Sequence, residues 1–248
     1  MTQHVLKSPT INCVDCPIRH RAVCSNCESS ELQLLEMMKS YKTYGAGEQI
    51  MWKDDPLRFV ASVVSGVAAL SRTMEDGRRQ MVGLLLPADF LGRPGRERAT
   101  FDVTAATEVT LCRFERKPFE KLIESTPAIG RRLLEMTLDE LDAARDWMLL
   151  LGRKTAREKI ASLLAILAQR QAILLPNSAR QPLKIELQMT REAMADYLGL
   201  TIETVSRQMT ALRKDGVIEM QGKRHITVPD LPRLQDEAGD DADGGPLD

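Results

Sequence analysis

Four cysteines crowd into fifteen residues, Cys13, Cys16, Cys24 and Cys27, in the pattern Cys-x2-Cys-Pro-x6-Cys-x2-Cys. Thiolates this close repel one another unless a cation shares their charge, so the spacing predicts a soft metal centre. Zinc accepts four sulfurs tetrahedrally, and an iron–sulfur cluster accepts four as well; spacing alone does not choose between them. A fifth cysteine, Cys112, lies far from the others at the end of an expected strand. A strand cysteine on its own is more often a small buried hydrophobe than a ligand. Arg19, His20 and Arg21 fall inside the cysteine loop and read as solvated side chains.

A second group of residues has nucleic-acid chemistry. From Thr190 to Lys214 the chain reads as two short helices joined by a tight turn, with Thr190 and Thr201 as N-caps and Gly199 at the turn. In the second helix Val205, Met209 and Leu212 make one apolar stripe, while Glu203, Ser206, Arg207 and Thr210 share another face. This is helix-turn-helix spacing, whose second helix reads base edges in the major groove. Asp215-Gly216 and Gln221-Gly222-Lys223-Arg224 turn the chain into a two-stranded wing, from which Lys223, Arg224 and His225 can reach phosphates.

The elements that position these groups follow from periodicity. Ser30 to Lys39 reads as a short amphipathic helix. From Tyr44 to Arg113 the period is that of short strands, with hairpin turns at Ser65-Gly66 and Asp76-Gly77, a pattern of a sandwich or jelly-roll barrel. Gly92-Arg-Pro-Gly95 lacks the Lys-Ser/Thr of a phosphate loop and reads as an ordinary loop. A short helix over 118–125 precedes a long one over about 127–151. On it Ile129, Leu133, Met136, Leu141, Ala144, Met148 and Leu151 form an apolar seam expected to pair with a second copy. Packing of that helix on its own barrel is the alternative, and both can hold. Gly152 to Thr155 is the expected hinge, followed by a helix over 156–171, a loop over 176–182 and a short strand over 184–187. The fold class is thus α+β. The expected divisions are a cysteine-rich segment (1–29), a β-barrel (30–126), a dimerisation helix with its hinge (127–153), a winged helix-turn-helix (154–230) and an acidic disordered tail (231–248).

Composition narrows the class further. The net charge of −1 hides an asymmetry: 11 Lys/Arg against 7 Asp/Glu from Thr155 to Val228, then 1 Arg against 7 Asp/Glu from Pro229 onward. The basic block suits a polyanion. No signal peptide is evident and no run reaches the ~18 apolar residues of a membrane span, so a cytoplasmic protein with reduced thiols is expected. No catalytic triad, nucleotide loop or His/Glu metal motif points to an enzyme.

A cysteine-rich start, a barrel, a long helix and a winged helix-turn-helix, in that order, resemble the CRP/FNR superfamily of bacterial transcription factors. CPIRHRAVC (Cys16 to Cys24), DWMLLLGRKTAREKIA (Asp146 to Ala161) and YLGLTIETVSR (Tyr197 to Arg207) resemble its oxygen-sensing FNR branch, in particular the FnrL/FnrN group of α-proteobacteria. The resemblance implies one [4Fe–4S] cluster on Cys13, Cys16, Cys24 and Cys112, with Cys27 the alternative to Cys24. Seven residues separate Cys16 from Cys24, where the family's better-known pattern has five. It also implies a homodimer that forms without oxygen, contact with RNA polymerase, and reading of TTGAT-like half-sites by Glu203, Ser206 and Arg207, with Thr201 at the start of that helix. Gln208 stands where the family usually buries an aliphatic residue. A zinc-stabilised regulator without oxygen sensing, or one answering a small ligand in the barrel, is the other reading. The stretch Asp89 to Thr100 lacks the acidic partner that the cyclic-AMP branch uses for ribose; Arg98 and Thr100 echo that site only weakly.

Overall fold

A computed structural model describes residues 11–77, 79–174, 182–187, 189–222 and 224–239. The chain divides into two compact units, 1–140 and 141–248. The first begins with an irregular loop of turns over 11–27 and the helix α1 (Ser29–Met38), followed by eight strands. These are β1 (Lys39–Tyr44), β2 (Gln49–Met51), β3 (Phe59–Ser65), β4 (Ala68–Thr73), β5 (Arg79–Leu85), β6 (Phe90–Leu91), β7 (Asp102–Ala105) and β8 (Val109–Glu115). They form two four-stranded antiparallel sheets, ordered β1-β8-β3-β6 and β2-β7-β4-β5.

Side chains alternate across a strand, and here both faces of the first sheet are buried. Ala61, Val63 and Leu111 point into the core between the sheets, with Tyr44, Ile50, Leu57, Leu85, Leu91 and Val103. Val60, Val64, Cys112 and Phe114 point the other way, into a second core. That outer core is closed by the 11–27 loop, by α1, by α2 (Arg116–Ser125) and by the start of α3 (Pro127–Arg153). Phe119 of α2 lies at its centre, 5.2 Å from the Phe114 ring and 5.7 Å from that of Phe90.

Two expectations about this half are corrected. Ser65-Gly66 does not close a hairpin, because β3 and β4 belong to different sheets. Gly66 sits at φ +82, and a Cβ there would fall 2.0 Å from the carbonyl oxygen of Glu108, so the crossing requires glycine. Asp76-Gly77 does close the hairpin between β4 and β5. The apolar seam expected on α3 also divides. Ile129 is fully buried in the outer core, and Leu133 and Met136 pack against it half-buried. The exposed apolar row is Leu134, Leu138, Leu141 and Met148, with Arg145 between, at alternating steps of four and three. Ala144 is exposed beside this row, and Leu151 is half-buried.

The second unit carries α4 (Ala156–Leu174), β9 (Leu183–Glu186), α5 (Arg191–Leu198), α6 (Ile202–Lys214), β10 (Glu219–Gln221), β11 (His225–Val228) and α7 (Leu231–Glu237). Gly152 and Arg153 continue α3, so the break falls at Lys154-Thr155 rather than at the glycine. The wing gains a third strand, since β9 pairs with β11 in the order β10-β11-β9. The expected tail begins with a helix instead: Asp230 accepts from the Arg233 N–H, Pro232 sits in the first turn, and Leu234 is fully buried. The remainder of the acidic tail, the first ten residues and most of the 176–182 loop lie outside the described residues.

Truncating the two sides of α3 should therefore have different consequences. Ile129→Ala should cost ~2–5 kcal/mol of unfolding free energy through loss of core packing. Leu138→Ala should change monomer stability by only ~0.5 kcal/mol or less, and its effect should appear in sedimentation as a weaker self-association.

Candidate metal centre and nucleic-acid face

Cys112 lies mid-sheet with a direct cross-strand partner on each side, Tyr41 on β1 and Ser62 on β3. Residues in register share a face, so this row of hydroxyl, thiol and hydroxyl looks out of the sheet towards the 11–27 loop. Opposite it stand Cys13, Cys16 and Cys24. All six residues line one narrow cavity of ≈ 20 Å³, together with Ile18, Ala22, Val23, Leu35 and Phe114. Cys27 is buried nearby but is not part of that wall. The five cysteines are free thiols.

The loop has no regular secondary structure, and named polar contacts hold it. Arg19 is half-buried rather than solvated and donates to the carbonyls of Cys24 (2.6 Å), Ser25 (2.7 Å) and Cys27 (2.9 Å), tying the second cysteine pair together. His20 is exposed. The Cys13 N–H donates to Glu36 of α1 at 2.7 Å. Lys39 bridges Glu36 (2.6 Å), the Ile11 carbonyl (2.5 Å) and Cys13 Sγ (3.5 Å). From the other side Arg132 of α3 donates to the Arg21 carbonyl at 2.8 Å. The carboxyl of Glu36 is held down to about 2, chiefly by the Lys39 ammonium and then by the Cys13 N–H.

Burial sets the chemistry of the thiols. Desolvation pushes Cys13 and Cys112 up to about 12 and Cys27 to about 11, and raises Cys24 in the same sense. Neighbouring sulfurs add to the rise at Cys112, whereas Lys39 opposes it at Cys13 and Cys112. These thiols are protonated at neutral pH and would give up protons to a soft metal as it bound.

In the second unit both capping expectations are met. Thr190 accepts from the Ala193 N–H at 3.1 Å, and Thr201 from the Thr204 N–H at 3.2 Å. Gly199 takes the left-handed conformation that turns α5 into α6. Val205, Met209 and Leu212 are fully buried, which leaves Glu203, Ser206, Arg207 and Thr210 exposed together. Gln208 is half-buried at the rim beside the buried Met209. Glu203 is held below the usual carboxylate range by its own backbone N–H and then by Thr201, so it stays an anionic acceptor. Thr201 spends its hydroxyl on the cap, so its part is to orient α6. Arg224 and His225 are exposed at the wing; Lys223 lies outside the described residues.

Sequence reasoning missed the clamp behind this helix. Arg157 of α4 pairs with Glu237 of α7 (2.6 Å) and with Asp215, the C-cap of α6 (2.8 Å). Arg233 donates to the Asp215 carbonyl at 2.7 Å. These partners lie up to 80 residues apart, which no local pattern reveals. Another open groove, away from the cysteines, is lined by Arg58, Arg98, Arg116 and Lys117 with Glu97 and Glu115. There Arg116 is committed to Glu120 and to the Leu57 carbonyl, and Arg98 to the Asp54 carbonyl.

A two-sheet β domain followed by a long helix and a winged helix-turn-helix defines a transcription regulator. The sequence agrees: residues 41–126 match the cyclic nucleotide-binding domain and residues 158–237 the Crp-like helix-turn-helix domain. The chain belongs to the CRP/FNR family. It is 62% identical over 245 residues to the transcriptional activator protein FnrL of Cereibacter sphaeroides, covering 99% of each chain. It is 32% identical to the transcriptional activator protein anr of Pseudomonas aeruginosa, over 88% of this chain and 89% of that one. Among solved structures it is similar to FixK2 from Bradyrhizobium japonicum, with a TM-score of 0.71 and 33% identity, covering 80% of this chain and 96% of that one. Among the described residues no helix is long and apolar enough to cross a membrane.

The raised thiols carry a pH prediction. In the unfolded chain these cysteines ionise near 9, whereas folded Cys13 and Cys112 do so near 12. The folded form therefore keeps its protons longer, and the stability this represents is intact below pH 9 and is lost as pH rises towards 12. Metal-free protein should show a falling melting temperature across that window, with a smaller fall in Cys112→Ala.

Proposed function

We propose that this regulator responds to oxygen: it holds a [4Fe–4S] cluster on Cys13, Cys16, Cys24 and Cys112, pairs through α3 and then binds an FNR-type palindrome. The observation that carries the reading is the make-up of one cavity wall. Those four cysteines share it, two segments far apart in sequence contribute to it, and Cys27 is outside it. This favours Cys24 over Cys27 as the third ligand. An all-thiol donor set in apolar surroundings suits iron–sulfur chemistry.

Zinc suits the arrangement less well. It draws four sulfurs to ~2.3 Å from one point, and among the described residues no three His, Cys, Asp or Glu side chains converge on an ion-sized site. A cluster of several irons would not require Cys13, Cys16, Cys24 and Cys112 to converge on one atom, which suits their places around one cavity wall. Such a group would need more room than ≈ 20 Å³, and the 11–27 loop, which has no regular secondary structure, is the part of the wall that would have to yield. When bound, the cluster supplies a crosslink between loop and sheet that oxygen dismantles. A ligand inside the barrel is the weaker alternative, because Tyr44, Ile50, Val63, Leu85, Leu91 and Leu111 fill the space between the sheets.

The rest of the switch is carried by the chain. Arg132, Ile129, Leu133 and Met136 join α3 to the cysteine core. The opposite row, Leu134, Leu138, Leu141 and Met148, has the spacing of a coiled-coil seam for a second copy. Two copies present two recognition helices to half-sites ~34–36 Å apart. There Arg207 can donate twice to guanine O6 and N7, Glu203 can accept from cytosine N4, and Ser206 can bond either way. Since FnrL and anr are named transcriptional activators, RNA polymerase is the expected partner and the cytoplasm the expected place.

Protein prepared without oxygen should be brown and contain iron and acid-labile sulfide in equal amounts. Cys24→Ala and Cys112→Ala should lose both, and Cys27→Ala should keep both. Colourless protein that retains zinc after Cys112→Ala would overturn the reading. Arg207→Ala should weaken palindrome binding by ~1–3 kcal/mol, with discrimination lost only at the guanine and the salt dependence nearly unchanged.

A further inference from the structure

Ser62 is a hydroxyl where the fold calls for a hydrocarbon. It lies on β3 between Val60 and Val64, which share its face and belong to the apolar outer core. It is 2% exposed, and its Oγ has no hydrogen-bond partner among the described residues. Its register places it directly beside Cys112, and its side chain lines the same cavity as Cys13, Cys16 and Cys24. The other hydroxyl in the row is different, since Tyr41 donates to the Ile11 carbonyl at 3.2 Å. A buried hydroxyl without an acceptor costs free energy that alanine or valine at the same position would not. Apart from the Tyr41 hydroxyl and apolar side chains, the side chains that line the cavity with it end in thiols, and a protonated thiol is a weak acceptor. Thiolates and sulfides sharing negative charge are much better ones.

We propose that the Ser62 hydroxyl donates a hydrogen bond to a sulfur of the bound cluster, at the Cys112 corner, and thereby raises the cluster's reduction potential. This rests on the iron–sulfur reading above. Hydrogen bonds to the sulfurs are among the determinants of such potentials. The sign follows from charge. In the one-electron step [4Fe–4S]2+ + e− → [4Fe–4S]+ the product is the more negative state, so a donor aimed at sulfur stabilises it more than the reactant. No proton is transferred; the hydrogen remains on Oγ. Removing the hydroxyl makes the cluster harder to reduce and easier to oxidise.

The test compares four anaerobically purified full-length proteins: wild type, Ser62→Ala, Ser62→Thr and Ser62→Val. Threonine keeps the hydroxyl and valine matches its shape without it, so this pair decides the matter even if the alanine variant fails to fold. Each is assayed for iron and sulfide, titrated with dithionite under an optical readout, and examined by resonance Raman in H2O and D2O. The expected result is equal cluster content throughout. The midpoint should be lower in Ser62→Val and Ser62→Ala by about tenfold in the reduction equilibrium, or ~59 mV for one electron. The D2O shift of the iron–sulfur bands should be diminished in those two variants, and Ser62→Thr should behave as wild type on both counts. Loaded proteins whose midpoints and isotope shifts do not differ between threonine and valine would overturn this inference and leave the cluster reading intact. A wild type without iron and sulfide would overturn the cluster reading, and this inference with it.

Discussion

The molecule depends on one sheet being buried on both sides. In a strand the side chains alternate, so a sheet that already supplies one face to a barrel core needs a second cover for the other. Here helices provide part of that cover, and a loop with no strand or helix of its own provides the rest. Ordering each residue of such a loop costs ~1–2 kcal/mol of backbone entropy. Against that, the fully buried apolar side chains it contributes are few, with Ile18, Ala22 and Val23 at the front. Cations satisfy several of its carbonyls, from outside the loop by Lys39 at Ile11 and Arg132 at Arg21, and from within it by Arg19 at the Cys24–Cys27 turn. The proposed cluster would add four bonds between this cover and the sheet.

That cover touches the one element that runs through both units. The first half of α3 gives Ile129, Leu133 and Met136 to the outer core and Arg132 to the loop backbone, so its position depends on how the loop is seated. On its other side the same turns present Leu134 and Leu138 to solvent. A helix is too stiff to shift one face without the other, so in the proposed switch repacking at the cysteines would reach the exposed row directly. The expected seam mixed these two rows. They differ by a rotation of about one residue around the helix, ~100°, and their separation encodes the coupling that the proposed switch requires.

Sequence made the local features legible. Caps at Thr190 and Thr201, the left-handed Gly199 and the exposed face of α6 follow from chemistry within a few residues. The same is true of Asp76-Gly77 and of the crowded cysteines. What stayed hidden was set by distant partners. Ser65-Gly66 looks like a hairpin turn until Glu108, from a loop forty residues on, is found beside Gly66. Cys112 is a buried core residue, as a lone strand cysteine is expected to be, but only its register with Tyr41 and Ser62 shows that this is the outer core, beside the other cysteines. Arg19 reads as solvated because a sequence does not show three carbonyls converging on one guanidinium. The α7 helix was lost in an acidic composition, although Asp230 and Pro232 are a legitimate helix start.

In the proposed switch, control of pairing acts through the winged helix-turn-helix. On the proposed reading the recognition helix offers Glu203, Ser206 and Arg207 to the bases, and Glu203 is an anion that repels phosphate. On that reading it would serve discrimination more than affinity. Joining two copies makes the second contact intramolecular, which multiplies binding by ~10²–10⁴ without a new interaction. That multiplication holds only if each recognition helix keeps a fixed orientation, and the clamp from Arg157 to Asp215 and Glu237 fixes the C-terminal end of α6, as the Thr201 cap fixes its start.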